Sequence, residues 1–179
     1  MKRFGLVIFF VIFAAPLLAA EKSFIFTVDL NKLLRATDFG KNIISVNNAE
    51  RISLQNENEK LKEDLLIEEK ELSELRQILP VSEFRPKAVE FDKRVSIIRS
   101  EQGRKEQMVI AKARKAEANF FKQIYPLLYE LLSDRGGLLL IDQRNVVLWD
   151  SSVDLTDESI DLINHVLGNG IQENISKFE

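Results

Sequence analysis

The sequence predicts an α+β protein, with a long antiparallel helical hairpin standing on a small β-body made from both ends of the chain. Three observations point there. Leu54, Leu61, Leu65, Leu72, Leu75 and Leu79 are separated by 7, 4, 7, 3 and 4 residues, the seam spacing of a coiled coil. Beyond a proline, Phe84, Ala88, Phe91, Val95 and Ile98 follow at 4, 3, 4 and 3, as a helix returning along the first requires. Runs dense in aromatic and β-branched residues lie outside these helices, at 23–29 and 138–149.

Residues 1–20 read as a removable export signal. Lys2 and Arg3 form a positive start, the segment from Leu6 to Phe13 is apolar, and Pro16 with Ala19-Ala20 supplies the small-residue cleavage pattern, with cutting expected after Ala20. The apolar run is shorter than the roughly 20 residues that span a bilayer. Residues 21–37 are expected to hold a body strand over 23–29 (SFIFTVD) and a short helix over 30–35.

The hairpin is expected over 38–135, turning near residue 80. Glycine is absent between Gly40 and Gly103, and Leu, Ile, Glu, Lys, Asn and Gln dominate, a long-helix composition. Pro80 removes a backbone donor and ends the first arm, and Ser82 is a candidate N-cap for the second. Asn58 and Glu68 interrupt the outgoing seam, and Gln102, Lys105 and Lys112 the returning one, leaving the arms pliable or simply setting register. Pro126 is expected to kink the returning helix where it enters the body.

Residues 136–168 complete the body. Gly136-Gly137 break the helix, residues 138–142 (LLLID) and 145–149 (NVVLW) read as two strands joined by a tight turn, and Thr156 is expected to cap a helix carrying Ile160, Ile163, Val166 and Leu167. Phe26 and Trp149 are expected in the core. A polar tail occupies 169–179. Three strands per chain would leave open sheet edges, which pairing with other copies covers.

Formal net charge is -3, and -5 once the leader's two basic residues are gone, which disfavours a nucleic-acid or anionic-membrane binder. Charge is unevenly divided between the arms. Residues 38–78 carry six basic and ten acidic side chains, residues 82–122 eleven and six. Lys93, Arg94, Arg99, Arg104 and Lys105 on the returning arm are the candidate contacts for a client or an anionic surface, or else partners of the acidic outgoing arm.

Chemistry is sparse. There is no cysteine, so thiol catalysis, thiolate metal sites and disulfides are excluded. The single histidine, His165, cannot complete a metal site, and no nucleotide-binding, zinc-protease or serine-hydrolase motif occurs. The carboxylates between Glu57 and Glu74 spread around a solvated helix. No enzyme activity, cofactor or metal is expected.

The order of elements resembles the Skp/OmpH periplasmic chaperones. The likeness rests on Val28-Asp29-Leu30 through Gly40-Lys41, on FDKRVSIIRSEQGRK (91–105), and on the terminal LLLIDQRNVVLWDSSVDLTDESI. It implies a homotrimer whose pooled strands form a central body, with three tentacles enclosing unfolded outer-membrane proteins in the periplasm, without ATP. The acidic mature chain departs from the basic character such proteins often have, which weighs against lipopolysaccharide or anionic-lipid contact. The alternative is a structural coiled-coil envelope protein docking one defined partner, which would need a continuous exposed apolar stripe beyond the seam.

Overall fold

The computed structural model describes residues 25–170; the expected leader, the first residues of the expected 23–29 strand and the end of the polar tail lie outside them. Strand β1 (Ile25–Val28) leads into helix α1 (Leu30–Ala36), then α2 (Asp38–Ile78) and α3 (Val81–Asp134) form the hairpin. Strand β2 (Leu139–Asp142), two 3-10 turns at Gln143–Asn145 and Ser151–Val153, and helix α4 (Thr156–Leu167) close the body.

Local chemistry sets each boundary. Asp29 caps α1 by accepting the Lys32 N–H at 2.9 Å. Thr37 ends α1 and starts α2 at once: its hydroxyl donates to the Leu33 carbonyl at 2.7 Å and accepts the Gly40 N–H at 3.1 Å. Gly40 lets the two helices approach so closely that a Cβ there would meet the Leu34 carbonyl oxygen at 1.9 Å. At the far end, Leu79 and Pro80 separate α2 from α3. The expected cap at Ser82 is corrected: the cap position falls two residues earlier, at Pro80, so the helix starts at Val81 with no side-chain cap, and the Pro80 carbonyl accepts the Glu83 and Phe84 N–H groups at 3.0 Å. Helix α3 runs on through Pro126, which has no N–H to offer the Lys122 carbonyl, and ends where Gly136 adopts φ 67°. There the Gly137 N–H reaches back to the Leu132 carbonyl at 2.8 Å and the Gly136 N–H to Ser133 at 2.9 Å, which satisfies the last free carbonyls of the helix.

Among the described residues the sheet has two strands, not three. β1 and β2 pair in parallel, Ile25 opposite Leu139 through Val28 opposite Asp142. On its other edge β1 meets the 154–155 segment, with the Leu155 N–H donating to the Thr27 carbonyl at 2.9 Å. The expected strand at 145–149 is corrected: Asn145 ends a 3-10 turn and residues 146–149 follow without a strand partner. A turn signal and β-branched residues can mark a strand, but they cannot supply a partner within the same chain. The expected burial of Trp149 falls with it, since Trp149 is 44% exposed, whereas Phe26 is buried as expected.

The core sits wholly in the body. Val28, Leu33, Phe39, Ile43, Phe120, Ile124, Leu128 and Ile163 form one cluster, Phe26, Leu131, Leu132 and Leu155 a second beside it. Phe39 from α2 and Phe120 from α3 meet with ring centroids 5.3 Å apart, clamping the base of the hairpin. Fully buried Phe120, Leu33, Ile124 and Ile163 each contribute roughly 1.5–3 kcal/mol of hydrophobic stabilisation. Helix α4 covers the body with Ile163 and is tied to α2 by the Asn164 carboxamide, which accepts the Asp38 N–H at 2.8 Å.

Thr156 corrects one further expectation. It is the first helical residue of α4 and not its cap: its hydroxyl accepts the Asp29 N–H at 2.9 Å and donates to Asp154 Oδ1 at 2.5 Å. Asp154 takes over by accepting the Thr156 N–H at 2.9 Å, so the start of α4 is bolted to the start of α1.

Candidate functional site

Beyond Ile43 on α2 and before Phe120 on α3, no described residue is fully buried. The arm is therefore a two-helix rod with one shared seam. At about 1.5 Å per residue, the 41 residues of α2 make a rod on the order of 60 Å long. The seam falls where the leucine spacing placed it: Leu54, Leu61, Leu65, Leu72, Leu75 and Leu79 are all half-buried, as are Phe84, Ala88, Phe91, Val95 and Ile98 opposite.

The five candidate basic residues divide into two sets. Arg94 pairs with Glu68 and Lys105 with Glu57, both across the hairpin, so these two serve the arm itself. Lys93, Arg99 and Arg104 are exposed and form no ion pair among the described residues. Lys93 and Arg104 lie three helical turns apart on one face, while Arg99 projects beside the seam into a cleft of about 690 Å³ that also takes in Leu61, Leu65 and Phe91.

Sequence reasoning missed the complete ladder. Lys112 pairs with Glu50 at 3.0 Å, a third rung below the other two. Arg94, Lys105 and Lys112 are spaced 11 and 7 residues apart, and Glu68, Glu57 and Glu50 are spaced 11 and 7 in the opposite direction, so one register aligns all three. That matched spacing was the available signal. The Lys105 ammonium and then the Gln102 carboxamide beside Glu57 hold its carboxyl below the usual glutamate range.

Apolar side chains outside the seam are scattered. Ile52, Leu66 and Ile67 on α2 and Val89, Ile97 and Met108 on α3 are exposed at intervals along the rod, Ile78 and Val81 flank its tip, and together they form no continuous stripe. The body shows the opposite arrangement. Tyr125, Tyr129, Leu138 and Leu139 are exposed together around a shallow cavity of about 450 Å³ next to β2, and the unpaired 146–149 segment presents Val147 and Leu148, 92% and 88% exposed. Among the described residues there is no cluster of three or more histidine, cysteine or acidic side chains fit for a metal, and no helix long and apolar enough to cross a membrane.

Comparison with known proteins agrees with this architecture. A solved structure from Caulobacter crescentus CB15, described as a candidate outer membrane chaperone (OmpH-like), superposes with a TM-score of 0.76 at 13% identity, over 82% of this chain and 86% of that one. At that identity the likeness concerns the fold. Comparison with curated proteins gave no match. The model of the family described as outer membrane protein (OmpH-like) matches residues 25–163, the whole span from β1 into α4, and the chain belongs to that family.

Proposed function

We propose that the chain is an exported, non-catalytic holdase of the periplasm, cleaved after Ala20, that keeps unfolded outer-membrane β-barrel proteins from aggregating. Membership of the OmpH-like family supports a chaperone role. The observation that carries the reading is the rod without a buried core, whose exposed apolar side chains are scattered among charges. Such a surface offers many weak contacts and no single tight pocket, so it suits a chain that has no fixed shape. A scaffold docking one partner would need the continuous stripe that the arm lacks.

The body supports a homotrimer. Its apolar face next to β2 and the exposed 146–149 segment provide both an open sheet edge and a strand-like segment to add to a neighbour's edge. Three such chains would set three arms around a common cavity. In that setting Lys93, Arg99 and Arg104 are, of the five candidate basic residues, the ones left to meet acidic stretches of a client, while Arg94 and Lys105 stay committed to the arm.

The test is dilution of a urea-unfolded outer-membrane β-barrel protein into buffer containing the mature protein and no nucleotide, followed by light scattering. Suppressed scattering at equimolar trimer is expected. Unchanged scattering removes the holdase reading.

A further inference from the structure

We propose that the arm bends at one joint, located at Asn58 on α2 and Gln102-Gly103 on α3, with stiffer segments on either side. This concerns the arm itself and holds whether or not a client is bound. Five observations converge there. On α3 no apolar residue enters the seam between Ile98 and Val109, where Gln102 and Lys105 take the inward positions, leaving about 16 Å of helix without apolar packing on that side. On α2 the leucine stripe lapses at the same level, between Leu54 and Leu61, with exposed Asn58 in the gap.

Gly103 sits within α3 for no reason of space, since a Cβ added to it would meet nothing within 4 Å. A glycine in a helix interior lowers the local helix population about fivefold relative to alanine. Where Gly40 and Gly137 are needed for close packing, Gly103 contributes only backbone freedom. The Gln102 carboxamide oxygen is buried without a hydrogen-bond partner, while its NH2 donates to Glu57 at 3.0 Å, so packing at this level is incomplete. Two clefts, of about 690 and 540 Å³, approach the seam here, and Asn58 lines both.

What crosses the joint is polar: the Lys105 and Gln102 contacts to Glu57. An exposed ion pair yields and re-forms at little cost, which leaves the register intact while the angle changes. The apolar seam from Leu61 to Leu79 against Phe84 to Ile98 keeps the outer half straight, and the Phe39–Phe120 clamp holds the inner half to the body.

The experiment is amide hydrogen exchange with mass spectrometry on the full mature protein. Three proteins are compared: wild type, Gly103→Ala, and the triple variant Asn58→Leu, Gln102→Leu, Gly103→Ala. In wild type, protection should reach a minimum across residues 99–106, with slower exchange at both 84–98 and 109–119. Gly103→Ala should slow exchange in the minimum about fivefold, and the triple variant should abolish it. Protection that declines steadily from base to tip in wild type, or a minimum that survives the triple substitution, overturns the joint.

Discussion

Asp154 is one carboxylate on which two helix starts depend. It accepts the backbone N–H and the hydroxyl of Thr156, and that hydroxyl in turn accepts the Asp29 N–H at the head of α1. Burial pushes its pKa up, but the hydrogen bonds from Thr156 and Gln143 outweigh it and leave the carboxyl below the ordinary aspartate value of 3.8. Such a group takes up a proton more readily when unfolded, so its stabilisation is complete above that range and disappears as pH falls through the folded value. Asp154→Ala should therefore cost about 1 kcal/mol near neutrality and progressively less below pH 4, measured by urea unfolding of both proteins at several pH values. Thr156 shows why such detail is hard to read in a sequence. A threonine before two acids is a good cap by local rules, but the partner that takes its hydroxyl is a backbone group far away in the chain. Gly136 was easier, because a helix end followed by two glycines has a local explanation, and its positive φ matches it.

At the scale of elements, the hairpin was legible, and so were β1 and β2, but the third expected strand was not. Seam positions follow from spacing alone, since a heptad pattern names the inward side chains before any partner is known; every seam leucine and its counterparts on α3 is half-buried. The basic residues were half legible: opposite net charge predicted attraction between arms, but assigning Arg94 to Glu68 and Lys105 to Glu57 required the register that the turn at Pro80 imposes. Residues 145–149 have strand composition without a strand partner, because composition does not say which chain holds the other edge. The ladder yields a prediction of its own. Reversing Glu50, Glu57 and Glu68 to lysine should lower the thermal midpoint of helix unfolding, and adding Arg94→Glu, Lys105→Glu and Lys112→Glu should restore it. The gap should narrow in 1 M salt, where charges are screened beyond about 3 Å. Circular dichroism melts read all three cases, and a sixfold variant no better than the threefold one would show that the ladder does not set the register.

For the whole molecule, what matters is where the apolar surface lies: scattered along the arm, gathered on the body. The gathered patch makes assembly the strongest prediction at this scale. Replacing Val147 and Leu148 by lysine should convert the proposed trimer to monomer with helix content intact, as read by sedimentation equilibrium and circular dichroism, since neither side chain belongs to the protomer's own core. A trimer unchanged by both lysines would place the assembly contact elsewhere. The parallel pairing of β1 with β2 has another consequence, in time. These strands are adjacent in space but separated in the chain by the entire hairpin, so the sheet cannot close until α2 and α3 have been delivered and brought together. A chain emerging from its N-terminus would carry β1 unpaired throughout. Zipping the hairpin from Pro80 inward converts one long loop closure into a series of short ones, so the arm acts as the guide by which the two ends of the body find each other.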